Sequence, residues 1–318
     1  MLALVLDGAG HARVSTDHRS PDRPPGEALL EVRVRGVCDT DLQLARGYMG
    51  FSGVPGHELV GEVIACDDAS WMGKRVVADI NAGCGACAEC AARGGHHCPH
   101  RTVLGILGRS GAFAERVSVP ERCLVEVPSS LDDDRAVFAE PLAAALHVLD
   151  DCAERPRRGI VLGDGKLGQL IARALASEGV ATTLVGRHAH KLALAAPLGI
   201  ETFLERELPS SQRGADLVVE ATGSESGLAR ALELVAPRGT VALKTTVAAK
   251  LTIDLAPVVI NEVRVVGSRC GDLARAVDVL ARGGVDPLPL VEARYPLARA
   301  DEAFAHAGRR GALKVLVD

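Results

Sequence analysis

Four cysteines stand close together as Cys84, Cys87, Cys90 and Cys98, a C-x2-C-x2-C-x7-C pattern in a stretch that also holds Gly83 and Gly85. Three thiols at three-residue intervals, with glycines that let the backbone turn, can wrap round one tetrahedral ion. Four thiolates leave that ion no open position, so the pattern points to a structural zinc, with an iron–sulfur cluster as the competing occupant. A zinc ribbon for nucleic acid would carry more aromatics, and more cations than Arg93 and Arg101. The neighbouring His96, His97 and His100 read as solvated loop residues.

A second set of metal-ligating residue types is scattered. Cys38 lies in GVCDTDLQ, His57 and Glu58 in VPGHELVGEV, and Glu140 in AEPLAAALHVL. Taken singly, such a cysteine reads as a buried apolar residue and such a His-Glu pair as a structural polar pair. Together the three segments offer one soft and several harder ligands.

A third pattern, Gly163-Asp-Gly165-Lys166-Leu167-Gly168, follows the apolar run GIVL and opens the helix-like LGQLIARAL. In that context G-x-G-x-x-G serves a dinucleotide: its glycines permit the turn, the approach of the pyrophosphate and close helix packing, and the helix N-terminus faces the anion. An acid about twenty residues on would accept the ribose hydroxyls of NAD. The sequence there reads Val185-Gly186-Arg187-His188, with Lys191 following. Those cations suit a 2'-phosphate, which favours NADP over NAD; a solvated basic turn is the alternative.

Two kinds of texture must position these residues. Short β-branched runs at residues 28–34 and 59–64 lie between glycines and prolines, the pattern of a β-rich region that continues to about Pro128. After Pro141 strands alternate with helix-length segments: strands at 159–163 and 181–186, helices at 166–178 and 189–198, then strands at 216–221, 240–243 and 263–266. Such alternation predicts an α/β fold with a doubly wound parallel sheet. From about Cys270 a helix, VEARYPL, a second helix and LKVLVD make a tail too short for a domain, so it is expected to return to the first. The division expected is residues 1–144 with 270–318, including a zinc lobe at about 81–100, and residues 145–269 for the cofactor.

Composition narrows the function classes. The 318 residues are 47% apolar, enough for two cores. A net charge of -5 is spread over 36 basic and 41 acidic residues without a block of one sign, which argues against nucleic-acid or membrane partners. The opening MLALVLDGAG lacks a basic leader region and reads as a first strand rather than a signal peptide, and no apolar run reaches the ~18 residues of a membrane span. A cytoplasmic protein with reduced thiols is the expectation.

The order and spacing of Gly36-Val-Cys38-Asp-Thr40-Asp-Leu, Gly56-His57-Glu58 followed by Val60-Gly61-Glu62-Val63, the four-cysteine lobe, Glu140-Pro141-Leu142 and the fingerprint at Gly163 resemble the zinc-containing medium-chain dehydrogenase/reductase family. The resemblance covers nearly the whole chain and lies in the polyol and threonine dehydrogenase branch. It implies a GroES-like catalytic domain, a Rossmann cofactor domain, two zinc ions per chain, NADP or NAD, and a homodimer or homotetramer. By the same resemblance Cys38 and His57 bind a reactive zinc, while Glu58 and Glu140 complete its sphere or exchange with water, leaving open which is ligated at rest. Thr40 passes the substrate proton outward, and Thr222 contacts the ribose on the nicotinamide side.

Two positions depart from the family pattern. Gln43 stands where several relatives carry a proton-relaying histidine, and Asp39 where a neutral or basic residue is expected. The implied activity is hydride transfer between a secondary alcohol, polyol or sugar hydroxyl and NADP or NAD, since Glu140 occupies the place of the third thiolate of simple alcohol dehydrogenases. A zinc-independent reductase of the same fold, or a non-catalytic dinucleotide-binding protein, are the alternatives; the Cys38, His57 and Glu140 set argues against both.

Overall fold

Along EALLEVRVRG the side chains of Ala28, Leu30, Val32 and Val34 are buried while Glu31 and Arg33 are exposed, and this period of two makes the long strand β1 (Glu27–Gly36). The computed structural model describes residues 1–245 and 252–318, apart from the side chain of Arg93. After β1 the chain turns into helix α1 (Asp39–Ala45), and it returns as β2 (Glu58–Ala65), antiparallel to β1 with Glu58 opposite Gly36. The C-terminal strand Lys314–Val317 pairs with the other edge of β1, Leu316 opposite Gly36. These strands belong to a seven-stranded sheet, and a smaller three-stranded sheet holds Ala3–Asp7. Their shared core includes Leu4, Val37, Phe113 and Phe304, with the two rings edge to face at 4.9 Å.

The chain divides into two compact units, Met1–Glu140 with Leu273–Asp318, and Pro141–Asp272. One boundary falls inside helix α2 (Ala139–Asp150). The C-terminal segment joins the first unit through its strand on β1.

In the second unit, β3 (Arg158–Leu162) leads into α3 (Lys166–Ser177). The chain continues through β4 (Ala181–Gly186), β5 (Glu201–Leu204), β6 (Ala215–Glu220), β7 (Val235–Leu243) and β8 (Arg264–Gly267). All pair in parallel in the order β5-β4-β3-β6-β7-β8, the doubly wound arrangement whose order reverses beside β3. The fold is thus α/β in this unit and β-rich in the first.

Three details differ from the sequence expectation. The helix expected over 189–198 breaks into Ala189–Leu192 and a short turn Ala196–Leu198, because Pro197 has no N–H to continue the ladder and Gly199 reverses the chain at φ 73°. Strand β5 and helix Gly227–Leu234 were not expected. No helix among the described residues is long and apolar enough to cross a membrane.

Candidate active site

In the cysteine lobe all four sulfurs lie within 4.8 Å of one another. Three of the pairs stand at 3.5 Å for Cys87 and Cys90, 3.7 Å for Cys87 and Cys98, and 3.9 Å for Cys84 and Cys90. Four sulfurs at the usual zinc bond length stand about 3.8 Å apart in a tetrahedron, so the lobe has the size of one ion and the donors suit zinc. Backbone N–H groups reach the same sulfurs, Gly85 to Cys90 at 3.3 Å and Cys84 and His100 to Cys98 at 3.4 Å. The Ala86 amide leads the pull on the Cys84 thiol, bringing it down to about 6. His97 and His100 are exposed, but His96 is not a solvated loop residue: its Nε2 lies 2.7 Å from Oδ2 of the half-buried Asp79.

The scattered set converges in the same unit. Cys38, the residue before α1, has extended backbone (φ −98°, ψ 159°) and donates its N–H to Asp41 Oδ2 at 2.8 Å. The other Asp41 oxygen faces His57 Nδ1 at 3.2 Å, close enough for an ion pair though not aligned as a hydrogen bond. A buried carboxylate behind one ring nitrogen is how ligand histidines are commonly oriented, leaving the other nitrogen for an ion. Cys38, His57 and Glu58 each offer a donor atom within 4.8 Å of the others. A thiolate, an imidazole and a carboxylate make the three-ligand mixed set that catalytic zinc uses.

Charge holds this set in place. Lys314, buried on the C-terminal strand, grips both Glu58 oxygens at 2.8 and 2.5 Å. Between their strands lies Gly36, where a side-chain Cβ would come within 2.0 Å of Glu58 Oε2. Glycine there is what lets the ion pair cross β1. Burial pushes the Lys314 ammonium down, but Glu58 and Cys38 more than offset it and leave it raised. Burial likewise opposes a charged His57, and the Asp41 and Cys38 charges override it, holding the imidazole well above its ordinary range.

Glu140 lies near this set but outside the mutually close donors. Burial pushes its carboxyl up to about 7, against the charges of His57 and Lys314 and helped by Glu58 and Asp79. Thr40 is half-buried in the first turn of α1, while Asp39 and Gln43 are exposed on the same helix. Sequence reasoning missed Asp41 and Lys314. Asp41 stands three residues after Cys38, a spacing that a helix start would have flagged; Lys314 left no local signal.

The fingerprint of the second unit forms an open cradle. Gly163 holds φ +115°, and a Cβ on it would meet the Ala221 carbonyl at 2.3 Å; one on Gly168 would meet the Gly163 carbonyl at 1.9 Å. At Gly165 a Cβ would meet nothing within 4 Å, so the space above the start of α3 is free for a phosphate. Lys166 and Leu167 are half-buried behind it, Lys191 is buried and Thr222 is exposed at the end of β6. The acid absent from the end of β4 is supplied from elsewhere: Asp164 Oδ2 accepts the N–H groups of Arg187 and His188, both at 2.7 Å. Arg187 Nε lies 2.7 Å from Glu205 Oε2.

Two family models match the chain. The family model described as an alcohol dehydrogenase GroES-like domain matches residues 24–129, and that of a zinc-binding dehydrogenase matches residues 167–282. D-altritol 5-dehydrogenase of Agrobacterium fabrum is 32% identical over 295 residues, 87% of each chain. L-threonine 3-dehydrogenase of Saccharopolyspora erythraea is 29% identical over 326 residues, 94% of each. A solved structure from Sinorhizobium meliloti, provisionally assigned as a zinc-binding dehydrogenase and bound to NADP, has a TM-score of 0.89 at 28% identity, covering 99% of this chain and 98% of that one.

Proposed function

Because the chain belongs to the zinc-containing medium-chain dehydrogenase/reductase family, we propose that it oxidises a secondary alcohol, polyol or sugar hydroxyl, or runs that reaction in reverse, with its own residues in the following roles. It is an NAD(P)-dependent oxidoreductase with zinc. The observation that carries the reading is the meeting of Cys38, His57 and Glu58 donor atoms within 4.8 Å.

Cys38, His57 and Glu58 hold one ion, and Cys84, Cys87, Cys90 and Cys98 hold a second in the lobe. Zinc at the first set supplies a Lewis acid that polarises a substrate oxygen, and NAD(P) supplies the hydride acceptor. Asp41 orients the His57 ring, and Lys314 steadies Glu58 in its ligating pose. Glu140, whose burial-raised carboxyl changes charge near neutrality, is the nearby carboxylate that would complete the sphere of an ion held there or give way to water. Thr40 Oγ1 takes the proton of the substrate hydroxyl. Gln43 cannot titrate, so the proton leaves through cofactor ribose and water instead of a histidine.

Residues 163–168 cradle the dinucleotide phosphates and Thr222 meets the nicotinamide-side ribose; of Arg187, His188 and Lys191 at the adenosine end, Arg187 is the exposed cation that can meet a 2'-phosphate, since His188 is engaged by Asp164 and Lys191 is buried. A homodimer or homotetramer of a cytoplasmic enzyme completes the reading. Val259 and Ile260, each 77% exposed, stand near edge strand β8 and are the candidate contact between copies.

The test is a screen of secondary alcohols, polyols and sugars with NADP and NAD, with and without chelator, followed by the absorbance of the reduced nicotinamide. Chelator-sensitive turnover is the expected result. Dinucleotide binding by a zinc-loaded chain that turns over none of these would overturn the catalytic reading in favour of a binding protein.

A further inference from the structure

We propose that Glu205, which lies outside the glycine fingerprint, is the residue that sets NADP against NAD, because it holds Arg187 in the place a 2'-phosphate would take. The inference rests on the reading of residues 163–168 as a dinucleotide site.

The adenosine ribose of a dinucleotide lies at the end of the second strand of such a sheet, here β4, where an acid receives NAD and an arginine admits the 2'-phosphate of NADP. At this position the chain has already spent most of its donors. Asp164, the second residue of the fingerprint, has a side chain only 8% exposed. Its Oδ2 takes the backbone N–H groups of Arg187 and His188 at 2.7 Å each, and its Oδ1 lies 3.0 Å from His188 Nδ1. Gly186 makes the room: a Cβ there would fall 2.4 Å from the Asp164 carboxylate. An anion built into the loop therefore occupies the two amides and the imidazole that a phosphate would otherwise use. Lys191, the third cation of this edge, is buried.

That leaves the Arg187 guanidinium. It is 56% exposed and paired through Nε with Glu205, itself 39% exposed, at 2.7 Å. The next two charges, Arg206 and Glu207, pair with each other. An exposed pair of this kind shifts an equilibrium by no more than about fivefold, so a 2'-phosphate can take Arg187 from Glu205. It then leaves a carboxylate unpaired beside a dianion. The ribose hydroxyls of NAD demand no such exchange. Glu205 is thus a specificity-determining residue that handicaps NADP without touching NAD.

The experiment measures dissociation constants for NADPH and NADH on the zinc-loaded protein from the fluorescence of the bound reduced nicotinamide, so no substrate is needed. Glu205→Gln is expected to tighten NADPH by about fivefold and leave NADH within about twofold. Arg187→Gln is expected to weaken NADPH by about tenfold with little effect on NADH. In the double variant the gain from Glu205→Gln should vanish. An unchanged NADPH to NADH ratio in Glu205→Gln overturns the proposal, and so does a gain that persists without Arg187, since that would be a general charge effect. If the unaltered protein binds neither dinucleotide while keeping its zinc, the cofactor reading itself fails and takes this inference with it.

Discussion

The two donor clusters of the first unit are built in opposite ways. In the lobe, four like sulfurs come from positions 84 to 98 and find one another at 3.5–3.9 Å, with local backbone N–H groups aimed at them. In the other cluster a thiolate, an imidazole and a carboxylate arrive from positions 38, 57 and 58, and two of the three lean on a further charged residue. Asp41 stands behind His57, and Lys314 behind Glu58. The lobe is a closed set of four like donors; the second is a set of unlike donors, two of them separately steered. A closed set suits an ion that braces a loop, and a steered set suits an ion whose surroundings must change during a reaction.

The largest expected effect separates the two directly. Cys38→Ser should lower turnover by about a thousandfold or more, the scale of losing several kcal/mol of Lewis-acid stabilisation, while the thermal unfolding curve moves little. Cys90→Ser should do the reverse. It strips the lobe of its ion and destabilises the fold, yet the fraction that stays folded keeps its turnover. Native mass spectrometry should count one zinc in each variant against two in the parent. If Cys90→Ser abolishes turnover in protein that remains folded, the assignment of a purely bracing lobe is wrong.

Lys314 provides the next contrast, because it holds one of the donors through a buried ion pair. Removing one partner of a buried ion pair strands the other charge, at a cost of about 3–5 kcal/mol. Lys314→Met is therefore expected to lower stability by that amount in urea unfolding. Lys314→Met combined with Glu58→Gln should recover most of the stability and none of the activity. A single variant as stable as the parent would mean that Glu58 is held by something other than this pair.

How much of this could be read beforehand follows from the same contrast. The lobe was legible because its ligands are sequence neighbours, and so was the fingerprint, where GIVL, the glycines and the start of α3 form one continuous stretch. The parallel sheet followed from strand-helix alternation, although β5 escaped because ETFL is short and only half-buried at the sheet edge. Cys38, His57 and Glu58 were linked only through resemblance, since no local pattern joins residues 38 and 57, and Lys314 was not linked to them at all. Asp164 is the clearest lesson. The missing acid at the end of β4 was sought along the strand, while the fold delivers one across it, from a loop that only the parallel register brings alongside. Gln169 and Arg173 went unnoticed for a related reason. They occupy core positions of an apolar helix and bond each other and the carbonyls of Lys191 and Leu194.

A smaller effect is expected at Asp41. Residues that orient a ligand histidine typically change metal affinity by about 10- to 100-fold, so Asp41→Asn should weaken zinc at Cys38 and His57 to that extent and leave the lobe untouched. The sign with pH can be worked out. His57 is held well above its ordinary range by Asp41 and Cys38 against burial, so in the metal-free chain its proton competes with the ion up to a higher pH than usual. Zinc uptake should fall as pH falls, and in Asp41→Asn that fall should move to lower pH because the carboxylate favouring the proton is gone. A fall at the same pH in both proteins would remove Asp41 from this role.

The smallest effect asks whether the two clusters are independent at all. His96 belongs to the lobe but pairs with Asp79, and Asp79 is one of the charges that raise Glu140. Burial pushes the Asp79 carboxyl up, and His96 together with hydrogen bonds from Asn81 more than offsets it, so Asp79 stays charged at neutral pH. His96→Ala removes one hydrogen bond to a charged group, worth about 1.5–3 kcal/mol of stability, with both zinc ions retained. It also takes the imidazole from beside the Asp79 carboxylate, leaving Asn81 as its donor. Glu140 should then titrate slightly higher and carry the acid limb of the turnover profile upward with it. An acid limb that does not move would show that the lobe and the steered cluster share a unit without sharing an electrostatic field, and the contrast between them would be complete.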